Sequence, residues 1–332
     1  MAGSVPAILL SASMSFLKGR DMALPSDDIA ESFVTLRDFF RYAVSAFNAA
    51  KLAYGHGTTN AVDEAAFILL EALHLPIDRL DPFLDARLTL NERRRLLMLV
   101  EARIVTRKPA AYLLNRAYIQ GRPFYVDERV IVPRSFVGEL LFSGLIGDDG
   151  PIEAGAVDSV LDLCTGGGSL AILAAEVFPA ARVDAVDISA DALAVAKRNV
   201  EEYGLADRIK LRQGDLFAPL KARRYDLILT NPPYVDAKAL GAFPPEFGAE
   251  PRLAHDGGRD GLDVVRRILG AAGAHLTKRG ALVCEIGRGR TLLERDFPHL
   301  SPIWLDTEDS EGEVFLLRAD DFASGRGKKS RR

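Results

Sequence analysis

From residue 157 onward, short apolar runs rich in β-branched residues alternate with stretches of helical period, and this alternation leaves few folds open. The runs are Val157–Leu163, Arg182–Asp187, Ile209–Gly214, Tyr225–Thr230 and Ala281–Ile286. The helical stretches centre on Ala171–Val177, Ala190–Tyr203 and Leu262–Leu276. A parallel crossover needs about a helix's length of chain, so the pattern predicts a doubly wound, mostly parallel α/β sheet. Two late runs near Ile303–Leu305 and Val314–Leu317 have no long helix between them. They predict an antiparallel edge hairpin that closes the sheet and brings it to seven strands.

Upstream, residues 28–120 read as helices only. Asp28 with Glu31 forms a capping-box pattern ahead of Ile29, Phe33, Leu36, Phe40, Ala43 and Phe47, which recur at helical spacing. A second helix runs from about Asn60 to Leu75 and stops at Pro76. A third opens on Thr89 and Glu92 and carries Leu96, Leu97, Leu99 and Val100. A fourth starts at Pro109. Phe124–Val132 alternates around Asp127-Glu128-Arg129, which predicts a β-hairpin. Ile146–Ala156, rich in Gly, Asp and Pro, reads as a linker. The expected divisions are a loose extension (1–27), a helical domain (28–120), hairpin and linker (121–150), a sheet domain (151–320) and a tail (321–332).

Composition excludes several classes. No apolar run approaches the roughly 20 residues that span a bilayer. Val5–Leu10 has no basic residue before it, so a secretory signal does not fit, and Met22 is a plausible start. Cys164 and Cys284 fall in apolar runs and read as buried thiols of a reducing, cytoplasmic compartment. The five histidines show no metal-ligand spacing. A formal charge of −4 argues against a broad nucleic-acid face. The tail Gly325–Arg332, with five basic residues in eight, allows at most a weak rRNA contact.

Ligands of doubly wound sheets bind beyond the carboxyl ends of the strands. The first strand there ends Leu161-Asp162-Leu163-Cys164-Thr165-Gly166-Gly167-Gly168. Asp162, Cys164, Thr165, Gly166, Gly167 and Gly168 are therefore candidate cofactor contacts. Gly166, Gly168 and Ala171 also fit a dinucleotide pattern. Asp187 ends the second strand, where a carboxylate can hold ribose hydroxyls; S-adenosylmethionine and NAD both satisfy that. Asp215 and Leu216 follow the third strand, and Asp215 can accept from an adenine amino group.

Asn231-Pro232-Pro233-Tyr234 follows the fourth strand directly and separates the readings. An amide nitrogen is a poor nucleophile whose N–H groups only donate, so a site that methylates it offers two acceptors and holds the nitrogen in line with the methyl. Asn231 can offer its side-chain oxygen and Pro232 its carbonyl. The prolines stiffen the loop, and Tyr234 supplies a flat face. A Pro-rich turn without chemistry is the plainer interpretation, and its place after Asp187 and Asp215 disfavours it. Asn231 also borders the expected cofactor.

Asn-Pro-Pro-Tyr at this point resembles the signature of methyltransferases acting on planar nitrogens. From about Arg103 to Phe315 the chain resembles the HemK/PrmB family of protein glutamine methyltransferases, with the class I Rossmann-like sheet and helical N-terminal domain that the family implies. Phe124–Ser135, Leu163-Cys164-Thr165-Gly166, Tyr234-Val235-Asp236-Ala237, Glu250-Pro251, Gly257-Gly258 and Asp260-Gly261-Leu262-Asp263 look like the branch that modifies the third protein of the large ribosomal subunit. Release-factor enzymes usually carry Pro-Glu-Thr-Glu where this chain has Ser135-Phe136-Val137-Gly138-Glu139. The resemblance implies S-adenosylmethionine as cofactor: Cys164–Gly168 around its methionine part, Asp187 on ribose, Asp215 and Leu216 flanking adenine, and Asn231–Tyr234 on the glutamine amide. It implies the ribosomal protein as partner, free or within an assembly intermediate. Gly167 stands where Ser is more usual, His255 where an apolar residue is usual, and Glu311-Gly312-Glu313 where Gly-Asp-Gly is expected.

The competing functions are release-factor methylation, adenine amino-methylation of nucleic acid, and a ribosome-assembly factor that binds cofactor without turnover. An adenine enzyme extrudes its base and usually carries a basic groove. A pure binder has no use for the Asn-Pro-Pro-Tyr motif.

Overall fold

The computed structural model describes residues 27–143, 151–308 and 310–324. The N-terminal extension, the Met22 start, the first part of the linker and the basic tail lie outside the described residues. The chain forms two compact units: one through Lys51 together with Ala61–Thr106, the other Leu52–Asn60 with residues 107 onward. Among the described residues no helix is long and apolar enough to cross a membrane.

The first unit holds α1 (Asp27–Ser32), α2 (Leu36–Ala49), α3 (Ala61–Ala72) and α4 (Leu90–Thr106). The single helix expected through Phe47 is two. Thr35 is extended, its hydroxyl accepts from the Asp38 N–H, and the Asp38 carboxylate accepts from the Thr35 N–H at 2.8 Å. This reciprocal cap starts a new helix. Leu36, Phe39, Ala43 and Phe47 are then buried, and Phe40 only half so. The third expected helix opens at Thr89 and Glu92, which cap each other: the Thr89 N–H donates to Glu92 at 2.7 Å and the Glu92 N–H to the Thr89 hydroxyl at 3.4 Å. Arg103 and Glu64 form an ion pair inside this unit's core.

The second unit begins with α5 (Ala110–Leu114), β1 (Ala117–Ile119) and β2 (Arg122–Phe124). The helical unit thus ends at Thr106, earlier than the expected 120. Tyr112 of α5 instead donates to the Val130 carbonyl and packs with Val126, Val132, Ala192 and Val195. The hairpin lies upstream of Phe124–Val132, which corrects that expectation. Its turn is Gln120-Gly121, both at positive φ (49° and 70°), the geometry of a tight two-residue hairpin. Residues 125–135 run as irregular chain, with Asp127 accepting from the Arg129 N–H.

After α6 (Phe136–Leu140) comes the sheet: β3 (Ser159–Leu163), β4 (Arg182–Asp187), β5 (Ile209–Gln213), β6 (Tyr225–Thr230), β7 (Leu276–Glu285), β8 (Ile303–Leu305) and β9 (Val314–Arg318). The order is β5-β4-β3-β6-β7-β9-β8. β9 runs antiparallel between β7 and β8, so the late pair forms as expected with its second strand inserted inside the sheet. The parallel strands are joined through α7 (Ser169–Val177), α8 (Ala190–Glu202), α9 (Ala237–Gly241) and α10 (Asp263–His275); α11 (Arg290–Asp296) precedes β8 and α12 (Ala319–Ser324) follows β9.

Side chains alternate across the strands, and both faces are covered, as parallel sheets require. Leu227, Leu229, Val283 and Leu316 pack with Ile172 and Leu173 of α7 on one face. Ile228, Leu282, Cys284 and Leu317 pack with Val265, Ile268 and Leu269 of α10 on the other. The strand order reverses at β3, which pairs with both β4 and β6. A crevice at the carboxyl ends of β3 and β6 follows, and the Thr230 hydroxyl, donating to the Leu163 carbonyl at 2.9 Å, ties those two ends together.

Candidate active site

A cavity of about 400 Å³ opens at that crevice. Cys164, Thr165, Gly166, Gly167, Asp187, Asp215, Leu216, Asn231, Pro232, Pro233 and Tyr234 all line it, so four separate strand ends deliver the predicted residues to one place. Asp162 and Gly168 do not line it. Asp162 is fully buried beneath the loop, where its Oδ2 accepts from the Thr165 hydroxyl and, at 3.0 Å, from the Ala171 N–H. Its Oδ1 is buried without a partner, and burial pushes its pKa up to about 7. Gly168 starts α7 and would bring a Cβ to 3.2 Å from Ala196 of α8. Both residues therefore shape the loop from behind.

The loop bends through Cys164 at φ 58°, a left-handed conformation that costs a side-chain-bearing residue energy. Burial pushes the Cys164 thiol well up. At Gly166 a Cβ would meet nothing within 4 Å, so the loop backbone faces open space that a ligand can reach. At Gly167 it would meet only ordinary contacts from 3.6 Å, consistent with exchange against Ser. Asp187 accepts from the Gly166 N–H at 2.8 Å and from the Ser189 N–H at 2.9 Å, and burial raises its pKa. Asp215 is exposed and paired with Arg267 at 2.5 Å. With Ile188 and Leu216 as apolar walls, this donor set fits an adenosyl group: a carboxylate for ribose, another at the far rim, and backbone cradling a polar chain.

Asn231 stands on the other side. Its Nδ2 donates to the Arg134 carbonyl at 3.0 Å. A carbonyl oxygen can only accept, so the NH2 end of the amide must face it; this bond decides which way the amide lies and leaves Oδ1 as the acceptor for a ligand. Tyr234 donates to Glu285 at 2.9 Å, and the other Glu285 oxygen accepts from the Ser135 hydroxyl and the Phe136 N–H at 2.7 and 3.0 Å. Burial raises the pKa of both Tyr234 and Glu285. The chain after Tyr234 folds back, with Val235 N–H donating to the His255 carbonyl and Gly257 N–H to the Val235 carbonyl, each at 2.9 Å. A Cβ at Gly257 would sit 2.7 Å from Tyr234 Cα, and one at Gly287 2.8 Å from its ring. Glycine at these two positions is what lets Tyr234 close down.

Arg134, Glu250 and Glu285 were not predicted as site residues. Glu285 carried a usable signal: it is a lone acid at the end of an apolar strand, the position that Asp187 holds in β4. His255 lines the cavity and lies 2.9 Å from Glu250, which explains a polar residue in an apolar setting. Gly312, of the unusual Glu311-Gly312-Glu313, is at φ 69° and donates to Asp306 at 2.8 Å, so the turn forms. Among the described residues no group of His, Cys, Asp and Glu is arranged to hold a metal ion.

The seven-stranded order, the Gly-rich loop after β3, the acid after β4 and the motif after β6 together define a class I S-adenosylmethionine-dependent methyltransferase. Residues 151–243 match the family described as methyltransferase small domain. Relatives named ribosomal protein uL3 glutamine methyltransferase include one from Bradyrhizobium diazoefficiens, 62% identical, covering 87% of this chain and 92% of that one. Others are from Bordetella pertussis (55% identical, 85% and 94% covered) and Burkholderia pseudomallei (52%, 89% and 98%). The chain belongs to the ribosomal protein uL3 glutamine methyltransferase family.

Proposed function

We propose that this protein transfers a methyl group from S-adenosylmethionine to the side-chain amide nitrogen of a glutamine in ribosomal protein uL3. The observation that carries the reading is the Asn231 amide, held by Arg134 so that its oxygen is left free to accept. In this reading Asn231 Oδ1 and the Pro232 carbonyl accept the two amide N–H groups of the substrate. The nitrogen lone pair is then turned toward the methyl group, and Tyr234 packs against the planar amide. The bound cofactor supplies an electrophilic methyl on a sulfonium. Cys164–Gly167, Asp187, Asp215 and Leu216 would hold it. Orientation of the amide by Asn231 and Pro232 would supply much of the rate, and the surplus proton would leave the substrate nitrogen for water.

The helical domain and hairpin, within residues 28–135, select the protein substrate, since related sheets serve many substrates and selectivity sits in what is added. The reading covers uL3 free or within an assembly intermediate, allows a weak rRNA contact by the tail, and sets the reaction in the cytoplasm. The names of the relatives and the acidic balance of the chain favour it over release-factor or adenine methylation.

The test is mass spectrometry of purified uL3 incubated with the protein and cofactor. The expected result is one added methyl on a single glutamine, reduced by at least about a hundredfold in rate with Asn231→Ala at saturating cofactor. An unmodified uL3, or an Asn231→Ala variant at wild-type rate, would remove the reading.

A further inference from the structure

Four groups of the second unit converge on one buried carboxylate beside the cavity. Glu250 has no exposed side-chain surface. Its Oε1 accepts from the Val132 N–H and from Arg134 Nη1, each at 2.9 Å, and its Oε2 from Arg134 Nη2 at 2.9 Å. The imidazole Nε2 atoms of His255 and His56 lie 2.9 and 3.5 Å from Oε2. Burial works to raise the Glu250 pKa, but His255, His56 and Arg134 outweigh it and hold the acid below the usual carboxylate range. Glu250 is therefore a fixed anion, and it grips the chain at two points two residues apart, a backbone N–H and a guanidinium fork.

Between and beside those points lies the carbonyl that matters. Arg134 O is the acceptor for Asn231 Nδ2. A bidentate guanidinium–carboxylate pair constrains angle as well as distance. The peptide that carries this carbonyl is thereby held in place from its own side chain and from Val132. Nothing in adenosyl recognition needs this arrangement: the cofactor-side residues Asp187 and Asp215 have other partners.

We propose that Glu250 is a positioning residue for the substrate amide, acting through Arg134 on the orientation of Asn231. This rests on the amide-clamp reading of Asn231 given above. Glu250 touches neither substrate nor cofactor. It sets where the Asn231 oxygen points, and misplacement there by about an ångström costs up to about a hundredfold in rate.

The test is a double-mutant cycle on the full chain with uL3 as substrate. Glu250→Gln keeps the shape but sets an amide N–H₂ against the Arg134 fork. It is expected to slow single turnover at saturating cofactor by about tenfold to a hundredfold, while calorimetric affinity for S-adenosylmethionine stays within about twofold. In the Asn231→Ala background the same change should cost little, because the group it positions is gone. An equal loss in both backgrounds would mean that the pair only staples two loops, and would overturn the proposal. The second readout is hydrogen exchange of the Asn231 side-chain amide by NMR in the cofactor complex, which needs no turnover. Faster exchange in Glu250→Gln supports the proposal, and unchanged exchange sinks it. Arg134→Lys, which keeps the charge and loses the fork, serves both measurements if Glu250→Gln does not fold. A wild-type protein inactive on uL3 would count against the function proposed above, and the exchange measurement would still decide the role of Glu250.

Discussion

Tyr234 and Glu285 meet across 2.9 Å at the ends of two neighbouring strands, a phenol donating to a carboxylate sealed among apolar side chains. The register pairs Thr230 with Cys284, so the Asn-Pro-Pro-Tyr loop after β6 and the acid ending β7 leave the sheet side by side. The same carboxylate receives Ser135 and Phe136. One buried acid thus joins the Asn-Pro-Pro-Tyr loop to the start of α6.

Removing that hydroxyl tests the junction. Tyr234→Phe keeps the ring and leaves one buried Glu285 oxygen short of a donor, a loss of about 1–3 kcal/mol for a buried acceptor left unsatisfied. The expected result is a lower melting temperature with cofactor affinity unchanged, read by calorimetry. A variant as stable as wild type would show that the bond contributes nothing net.

The two acids of the cofactor side should differ in importance. Asp187 also holds the Gly166 N–H, so Asp187→Ala removes the proposed ribose acceptor and loosens the loop; affinity for S-adenosylmethionine should fall by about 1–3 kcal/mol. Asp215 is exposed and already paired with Arg267, so Asp215→Ala should cost less, within about 1 kcal/mol. Titration calorimetry on both variants orders them, and the reverse order would refute the assignment.

Asp162 makes stability depend on pH. Its pKa in the folded chain is about 7, against an ordinary 3.8. Between those values the unfolded chain has released the proton and the folded chain has kept it. Unfolding then releases protons, and stability falls as pH rises through the window, by at most about 1.4 kcal/mol per pH unit. Asp162→Asn, an amide that cannot ionise, should flatten the decline of melting temperature between pH 5 and 7 in the cofactor-free protein. Parallel curves for the two proteins would exclude Asp162 as its source.

Cys164 bends left-handed with a side chain in place. Glycine takes that conformation freely, so Cys164→Gly should keep cofactor binding and change stability by no more than about 1 kcal/mol. Cys164→Val, branched at Cβ, should lose binding, because the loop can no longer turn there. Equal binding by both variants would show that the bend is unimportant.

The sheet strands were legible because short runs with buried apolar and β-branched residues alternate with helical stretches, and Arg182–Asp187 and Tyr225–Thr230 form with the expected bounds. That Asp187, Asp215 and Asn231 line one cavity was legible because each stands at or just beyond the carboxyl end of a strand in a doubly wound sheet. The hairpin was misplaced because Val126, Val130 and Val132 alternate as a strand does but are buried by Tyr112 and α8 instead of by pairing. The break at Thr35 was hidden because Phe33 and Leu36 continue a helical spacing while the local cap decides otherwise. Glu250 escaped because its partners Val132, Arg134 and His56 are remote in sequence, and no spacing rule reports a contact 116 residues away.

The orientation of the Asn231 amide also bears on chemical ageing of the substrate. With Nδ2 donating to Arg134, the acceptors Asn231 Oδ1 and the Pro232 carbonyl are the groups proposed to meet a substrate amide. A glutamine that has hydrolysed to glutamate would set its own carboxylate oxygens against them, with no N–H to share and a charge to bury. Sites built for a donor reject analogues lacking it by about four orders of magnitude. The enzyme would then pass over deamidated uL3, and a glutamate-bearing uL3 should neither accept a methyl group nor compete with the intact protein. The methyl mark would certify that the residue beneath it is still an amide.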